Sequence, residues 1–375
     1  MPKNLVVCCD GTATEFARDH TNVLKLFSAL VQEPGTQLAI YHPGVGTMEA
    51  VGALTSTARK VTKLLGKAIG YGLETDIRDA YASVMEFHEE GDRLFLFGFS
   101  RGAYTVRAVA SLLHMFGLMR RGQERLIPYA IRMMSALARG DAGFPGGSRS
   151  AARRAFFEQA ERFKATFSDR VCRPHFVGAW DTVSSVGWIE NPLKLPWTAN
   201  NPSIRIGRHA VSLDERRAFF RTNLWVPAEP PKRSGPADLM QVWFPGAHGD
   251  VGGGYPEEES GLSKFALEWM AGEARKAGLL IDRGRFDLVM GRGGGGYAPA
   301  DPDARLHESL RGWWRLAEFV PKKRGDLRAG RGGRRMNLFR RRDPPPAPLV
   351  HDVAFLRRGY RPPPGAVRVR TDPVR

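Results

Sequence analysis

The feature that most constrains this chain is a glycine–serine–glycine motif that directly follows an apolar run and opens a helical pattern. Residues 94–99 read Leu-Phe-Leu-Phe-Gly-Phe, and Ser100 is followed by Arg-Gly-Ala-Tyr-Thr-Val-Arg-Ala-Val. A strand that enters G-x-S-x-G and leaves as a helix is typical of the nucleophile elbow of serine hydrolases. Small residues at Gly98 and Gly102 allow the turn to be tight. We therefore predict that Ser100 is an exposed nucleophile at the positive end of a helix, which favours a developing oxyanion.

The rest of the chain alternates apolar, strand-like runs with helical patterns. Helices are expected at Asn22–Leu30 and Leu73–Glu89, the second leading into the elbow strand. This alternation predicts an α/β fold with a mostly parallel sheet and helices on both faces. The strand-like runs are Leu5–Cys9, Gln37–Tyr41, Arg93–Phe99, His175–Trp180 and Leu239–Pro245.

Three segments interrupt this pattern. Residues 118–165 lie between the elbow helix and the next strand, and we expect them to form a helical cap insertion. The Gly, Ser, Thr and Lys content of residues 50–71 predicts a loop or a mobile helical flap. Residues 283–300 contain a glycine run and are expected to be a flexible excursion.

The positive charge of the chain is concentrated near its C-terminal end. The net charge is +17, and residues 321–375 hold 16 Lys and Arg against four Asp. We divide the chain into a hydrolase domain at 1–320 and a basic Arg/Pro-rich segment at 321–375, partly packed back on the domain, with disorder expected over 322–348. Such a segment can attract anionic phospholipid headgroups, or it can be a solvated basic surface. Since aromatic residues are not interleaved with its arginines, no specific nucleic-acid binding is predicted.

Several protein classes are excluded at this point. The chain has no run of 18 apolar residues, so no transmembrane helix is expected, and its N-terminus lacks the apolar region of a signal peptide. We predict a protein made in the cytoplasm, with export only by a dedicated secretion system. The three cysteines are too few for a disulfide framework and are expected to be reduced packing residues.

A serine nucleophile needs a histidine base and an acid that orients it, in the chain order Ser, Asp, His for this type of fold. Asp181 ends the strand-like run His175–Trp180 abruptly, and His248 opens a glycine-rich turn after another such run. We therefore predict Asp181 as the acid and His248 as the base. A turn-capping role for the aspartate and a structural role for the histidine stay open. His307 and His351 are the competing bases.

Residues around the elbow and the predicted base complete the expected site. Asp10, Gly11 and Thr12 follow the first strand, where such folds place their second oxyanion donor, and the alternative is an ordinary strand-ending turn. We predict an oxyanion hole from the N–H groups of Arg101 and of Gly11 or Thr12, and we expect Asp250 to hold the glycine loop through backbone N–H groups. The glycine-rich stretches at 252–254 and 291–296 do not fit nucleotide-binding motifs, so no cofactor and no metal ligand are predicted.

A set of motifs in one order resembles a known family. This family is the α/β-hydrolase domain, long catalogued as uncharacterised, that includes the phospholipase effectors of type VI secretion systems. Carried over to this sequence, the family's serine, aspartate and histidine fall on Ser100, Asp181 and His248. The matching motifs are Cys9-Asp10-Gly11-Thr12, Thr21-Asn22-Val23, Y-H-P-G-V-G at 41–46, G-F-S-R-G at 98–102, F-V-G-A-W-D-T-V at 176–183 and W-F-P-G-A-H-G-D-V-G-G-G-Y at 243–255.

The resemblance implies a serine hydrolase of the α/β-hydrolase type. Its expected reaction is cleavage of a carboxylic ester through an acyl-enzyme, with a lipid or phospholipid as substrate and peripheral contact with an anionic membrane. Two alternatives stay open. One is an esterase or thioesterase for small molecules, which shares the chemistry and differs in the pocket. The other is a catalytically silent protein that binds through its basic C-terminal region.

Overall fold

The computed structural model describes most of the chain. The described residues are 2–11, 20–44, 56–139, 149–183, 195–217, 222–226, 235–311 and 332–372, together with 220, 315, 318–319 and 322–325.

An eight-stranded parallel sheet forms the centre of the fold. Its strands pair in the order β12-β11-β8-β7-β6-β3-β1-β2, and every pair is parallel. Strand β1 is buried along its whole length, as expected where helices cover both faces of a parallel sheet. The strands are β1 (Asn4–Cys9), β2 (Gln37–His42), β3 (Arg93–Phe99), β6 (Pro174–Trp180), β7 (Ile206–Ser212), β8 (Asp238–Phe244), β11 (Leu349–His351) and β12 (Val367–Val369).

Two layers of helices cover this sheet, which confirms the expected α/β class with helices on both faces. Helices α2, α3, α4 and α5 contribute to one apolar core, whereas α1, α7 and α8 contribute to a second core on the other face. The helices are α1 (Asn22–Ala29), α2 (Ser56–Phe87), α3 (Arg101–Phe116), α4 (Ile127–Arg139), α5 (Arg149–Phe167), α6 (His248–Gly252), α7 (Ser263–Lys276), α8 (Arg283–Val289) and α9 (Val353–Leu356). Among the described residues, no helix has both the length and the apolar character needed to span a membrane.

The expected insertion at 118–165 consists mainly of helices α4 and α5. A short ribbon of β4 (Leu118–Met119) and β5 (Ser168–Arg170) closes it. Its buried side chains, such as Ile131 and Phe163, join the core beside α2 and α3. A role as a cap over the site stays a prediction.

The structure bears on two further local expectations. Over 50–71 the chain is helical from residue 56 onward, which is one of the two alternatives expected there, and residues 50–55 lie outside the described residues. The stretch 283–300 begins with α8, and the side chain of Arg292 after it binds Glu268 and Asp287. Ion pairs and helix packing thus hold a segment whose glycines predicted flexibility.

The C-terminal segment takes part in the fold. Strands β11 and β12 extend the main sheet, and β9 (Lys322–Gly325) pairs with β10 (Gly332–Arg335). Disorder over 322–348 is a wrong prediction for the described residues, because Asn337 and Arg342 bind partners in the rest of the chain. All three cysteines are buried, as expected of packing residues, and have free thiol groups in this structure.

The order of the strands indicates where the candidate site lies. Strand β1 lies between β2 and β3, so the chain reverses its direction of travel across the sheet at this point. In open parallel sheets, ligands bind at such a switch point, beyond the carboxyl ends of the strands. Ser100 follows β3 directly, and Asp10 and Gly11 follow β1 directly.

Candidate active site

Ser100 occupies the turn between β3 and α3 in a strained conformation. Its φ is 57° and its ψ is −116°, a backbone conformation that residues with a side chain rarely adopt. The turn is held because Ser100 donates its N–H to the carbonyl of Trp180 at 3.0 Å, and its own carbonyl accepts from the Tyr104 N–H at 3.3 Å. The hydroxyl lies at the N-terminus of a 16-residue helix, as the elbow motif predicts.

Close backbone approach explains the two glycines of the elbow. A Cβ atom at Gly98 would lie 2.4 Å from the carbonyl oxygen of Gly102. At Gly102 itself, a Cβ atom would lie 2.1 Å from the carbonyl oxygen of Cys9. Both obstacles are backbone atoms, which cannot move aside as the end of a side chain can. Neither position accepts a larger residue without separating α3 from the sheet.

Asp181 and His248 are in direct contact. Asp181 follows the end of β6, and its Oδ2 atom lies 2.5 Å from Nδ1 of His248, which begins α6. The other oxygen, Oδ1, accepts the N–H of Ser212 at 3.0 Å. Asp181 has a φ of 39°, so its backbone also adopts a strained conformation at the sheet edge. With Nδ1 hydrogen-bonded to the carboxylate, Nε2 of His248 is left as the acceptor nitrogen.

A guanidinium group from the C-terminal segment also binds Asp181. Arg342 pairs both of its Nη atoms with the carboxylate, and the Nη2–Oδ2 distance is 3.0 Å. Burial alone would raise the pKa of Asp181, but Arg342 and His248 outweigh this effect and hold the pKa well below its usual range. Asp181 is therefore ionised at neutral pH. No local sequence signal predicts this pair, since Arg342 lies in a run of arginines with the composition of a solvated tail.

Aromatic rings hold the imidazole of His248 on two sides. The ring centroid of Phe99 lies 4.6 Å from that of His248, and that of Phe220 lies 4.9 Å away in an edge-on arrangement. Burial is the largest influence on the His248 imidazole and lowers its pKa, and Asp181 opposes this shift without reversing it. The backbone N–H of His248 donates to Glu215 at 3.2 Å. The His248 imidazole is thus fixed in place and neutral at physiological pH.

Ser100 lies at the same edge of the sheet but is not hydrogen-bonded to the base. Among the described residues, no hydrogen bond joins its hydroxyl to His248. Phe99, the residue before it, contacts the imidazole ring directly. Catalytic hydrogen bonds are often long in proteins without substrate and shorten when substrate binds. Two of the three predicted residues, Asp181 and His248, are therefore in contact. The third, Ser100, directly follows Phe99, whose ring contacts the His248 imidazole.

The predicted oxyanion donors have different positions. The Gly11 N–H donates to its neighbour's carboxylate, Asp10 Oδ1, at 2.7 Å and is not directed at a substrate site in this structure. Thr12 lies outside the described residues. Arg101 is the first residue of α3, and the first-turn N–H groups of a helix have no acceptor within the helix. The Arg101 N–H thus stays the predicted donor beside Ser100.

Asp10 is the centre of a buried hydrogen-bonded cluster. Besides the Gly11 N–H, it accepts the hydroxyls of Thr21 at 2.5 Å and Tyr41 at 2.7 Å. Burial raises the pKa of its carboxyl group, and these three donors act in the opposite direction. The cluster ties the turn after β1 to α1 and to β2, and so supports the residues around Ser100.

The two competing histidines serve other contacts. His307 lies between two carboxylates, with Asp250 at 2.6 Å and Glu259 at 2.7 Å from its ring nitrogens. His351 contacts the Thr371 hydroxyl at 2.5 Å and accepts the Val353 N–H. Within the described part of the chain, no group of three or more His, Cys, Asp and Glu side chains is arranged to hold a metal ion.

Asp250 combines two tasks. Its Oδ2 atom accepts the N–H of Ala247 at 2.8 Å, which is the backbone contact expected for it, and the same carboxylate binds His307. A carboxylate that bridges the start of α6 and the 307 region stabilises the turn carrying His248.

A second layer behind the acid was missed from the sequence. His209 on β7 is buried and accepts the Thr182 N–H at 3.1 Å, and burial lowers the pKa of its imidazole to about 3. Ser212, at the end of the same strand, contacts Asp181 through its N–H. Strand β7 mixes Arg and His with its apolar residues, so the strand pattern that would have identified both residues is weak.

Comparison with known proteins gives one family. A model described as the catalytic domain of the Tle1-like phospholipase effectors of type VI secretion systems matches residues 3–273. Uncharacterized protein YEL023C of Saccharomyces cerevisiae is 33% identical over 233 residues, which cover 60% of this chain and 33% of the yeast protein.

Two solved structures are similar at a lower level. An uncharacterized protein from Pseudomonas aeruginosa has 19% identity and a TM-score of 0.42, over 75% of this chain and 47% of its own. The Tle1 effector bound to the VgrG spike of the type VI secretion system has 17% identity and a TM-score of 0.36, over 70% of this chain and 53% of its own. The chain thus spans about a third of the yeast relative and about half of each solved chain.

The family match covers well over half of the chain and includes Ser100, Asp181 and His248. It confirms the resemblance inferred from the motifs. The chain belongs to the family of Tle1-like phospholipase effectors of type VI secretion systems, whose catalytic domain it matches.

Proposed function

We propose that this protein hydrolyses the acyl ester bond of phospholipids through a Ser100–His248–Asp181 triad and an acyl-enzyme. The observation that carries the proposal is the 2.5 Å contact between Asp181 and His248 at the sheet edge that presents Ser100 on a strained elbow. Family membership supports a lipid ester as the substrate.

The reaction follows from the placement of the protons. The Nδ1–H group of His248 donates a hydrogen bond to Asp181, so Nε2 is free to take the hydroxyl proton of Ser100 as the serine oxygen attacks the ester carbonyl. For this transfer the hydroxyl must come within about 2.6–3.2 Å of Nε2 when substrate binds. Asp181 stays ionised and stabilises the imidazolium that forms.

The tetrahedral intermediate carries a negative charge at the N-terminus of α3. We assign its stabilisation to the Arg101 N–H and to the helix dipole. The imidazolium of His248 then protonates the leaving alcohol, which breaks the ester bond and leaves an acyl group on Ser100. A water molecule, deprotonated by the same imidazole, releases the fatty acid.

A surface beside the site fits contact with an anionic lipid bilayer. Phe319, Met336 and Leu338 expose about half of their side-chain surface, and the ring of Phe319 contacts that of Phe339 at 5.7 Å. Arginines 340 and 341 follow directly in the chain. Apolar side chains interleaved with basic ones are the pattern of a surface that inserts among lipid headgroups. Through Arg342, this segment reaches the acid of the proposed triad.

The deciding experiment compares phospholipid vesicles with short-chain esters. We expect the wild type to release fatty acid from vesicles containing phosphatidylglycerol faster than from phosphatidylcholine vesicles, and Ser100→Ala to lower the rate by something on the order of 10⁶-fold if the triad acts as a unit. A fluorophosphonate probe should label the wild type and not the variant. The matched control is Ser28→Ala in α1, whose hydroxyl donates to the Lys25 carbonyl of the same helix.

The alternatives give different results. Hydrolysis of short-chain esters or thioesters without any release of fatty acid from vesicles identifies a small-molecule esterase. Salt-dependent binding to anionic vesicles without probe labelling identifies a silent binding protein. Hydrolysis that persists in Ser100→Ala removes the proposed mechanism.

A further inference from the structure

Arg342 makes several polar contacts beside the proposed triad. Besides its two bonds to Asp181, its Nη1 donates to the Ser212 hydroxyl at 2.7 Å and its Nη2 donates to the Phe220 carbonyl at 2.6 Å. The side chain is only 8% exposed. A guanidinium held by a carboxylate, a hydroxyl and a carbonyl has a single orientation, and it fixes the group it binds.

The segment that carries Arg342 is itself anchored to the domain. Asn337 donates to Glu318 at 2.7 Å, and Arg216 donates to the Phe339 carbonyl at 3.2 Å. Arg341 forms an ion pair with Asp214 at 3.5 Å. The guanidinium therefore reaches Asp181 from a fixed piece of chain, 161 residues away in sequence.

Several charged and titratable groups lie close to His248. Asp181 lies at Nδ1 of His248, Glu215 accepts its backbone N–H, and Arg217 pairs with Glu215 at 2.9 Å. His209 lies behind Asp181 and is neutral, as its low pKa requires. With a neutral imidazole, the Arg342–Asp181 pair has no net charge, but with a protonated imidazole the three groups together carry one positive charge. Arg342 therefore opposes protonation of the base across a buried carboxylate.

We propose that Arg342 is a positioning residue of the triad, which aims the Asp181 carboxylate at His248 and limits how strongly that carboxylate holds a protonated imidazole. This inference rests on the proposed function for its meaning in catalysis. The effect of the Arg342 guanidinium on the protonation of the His248 imidazole can be measured without any substrate.

The consequence is a base that loses its proton at lower pH than in a triad without such an arginine. Replacing Arg342 by an uncharged residue removes the opposing charge and leaves the Asp181 carboxylate to His248 and Ser212. The imidazole should then hold its proton more strongly. The expected shift of its titration midpoint is roughly one to two pH units upward, the size of effect that a nearby like charge has on a partly buried group.

The test is a pH titration of the His248 imidazole by NMR in the full chain, with His248→Gln used to assign the signal. We expect the titration midpoint to shift upward in Arg342→Met and to stay near the wild-type value in Arg342→Lys, which keeps the charge. The control is Arg361→Met, which removes an exposed arginine of the same region and should cause no shift. The acid limb of kcat/KM on a short-chain ester should move with the imidazole. A rate change without such a movement would indicate a purely structural role.

Two results overturn the inference. One is a folded Arg342→Met or Arg342→Gln variant, verified by circular dichroism, whose imidazole titrates as in the wild type. The other needs no variant: a wild-type His248 that titrates above pH 7 contradicts an opposing charge at the carboxylate. The proposed function is tested independently and is contradicted if Ser100→Ala retains hydrolysis. In that case the titration of His248 still decides the role of Arg342.

Discussion

Replacing Gly252 by alanine tests how the position of the base depends on the glycine-rich turn that follows it. Gly252 is the last residue of α6, which begins with His248. A Cβ atom added there would lie 1.9, 2.2 and 2.3 Å from three carbon atoms of the Phe99 ring. That ring is buried and contacts the His248 imidazole at a centroid distance of 4.6 Å. The substitution therefore acts on the base through one aromatic ring.

The size of the effect follows from these distances. Carbon atoms pack at about 3.5–4.0 Å, so the Phe99 ring or the α6 backbone must move by about 1.5–2 Å. Overpacking of this kind costs about 1–3 kcal/mol of unfolding free energy. A displacement of about 1 Å in a catalytic group can lower the rate by about 10²-fold. We expect Gly252→Ala to fold with reduced stability and to lose about 10²-fold in kcat/KM.

The assay combines fatty acid release, the rate of fluorophosphonate labelling and urea unfolding. The matched control is Gly284→Ala in α8, where the nearest atom to an added Cβ lies at 3.6 Å. We expect the control to keep the wild-type rate and to gain up to about 1 kcal/mol, because alanine favours a helix over glycine. A Gly252→Ala variant with the rate and stability of the wild type would refute the argument that the Phe99 ring positions His248.

Two further predictions concern pH. Because burial lowers the pKa of His248, its neutral form persists below the ordinary histidine value of about 6.5. In a pH–rate profile, kcat/KM should therefore fall only below that pH. An acid limb centred above pH 7 would contradict this prediction. The pKa of Glu215 lies at about 2, because the Arg217 bond outweighs the effect of burial. Since this folded-state pKa is lower than the unfolded value of about 4.3, the stabilisation is present above that value and is lost as the pH falls towards 2. In urea unfolding, Glu215→Gln should lose roughly 3 kcal/mol at pH 7 and show a flatter profile between pH 5 and 3. A Gln variant that weakens with acid as steeply as the wild type would show that other carboxylates carry the effect.

Much of the fold and of the candidate site could be predicted because the signals are local. The run before Ser100 is apolar at every position that the sheet buries, and the glycines at 98 and 102 mark backbone contacts. Asp181 and His248 each closely follow the end of a strand. In a parallel sheet, such residues gather at one edge whatever their separation in sequence. Their contact could therefore be expected before any coordinates were known.

Strands with polar residues or weak patterns escaped prediction. Strand β7 contains Arg208, whose guanidinium is paired with Asp238 and Glu273, and His209, which is bonded to Thr182 and Gln241. Its polar side chains are buried only because partners from other elements satisfy them. Strands β11 and β12 have three residues each, too short for a periodic signal.

The sequence by itself determined the parallel sheet, the elbow and the identity of the residues that meet at its edge, because apolar periodicity and glycine placement are properties of neighbouring residues. Only the tertiary structure decided how those residues are charged and held. The Gly11 N–H donates to Asp10, and the arginine that forms an ion pair with Asp181 comes from a run of basic residues resembling a solvated tail. An ion pair between positions 161 residues apart depends on the folding of the whole chain, and no local pattern encodes it.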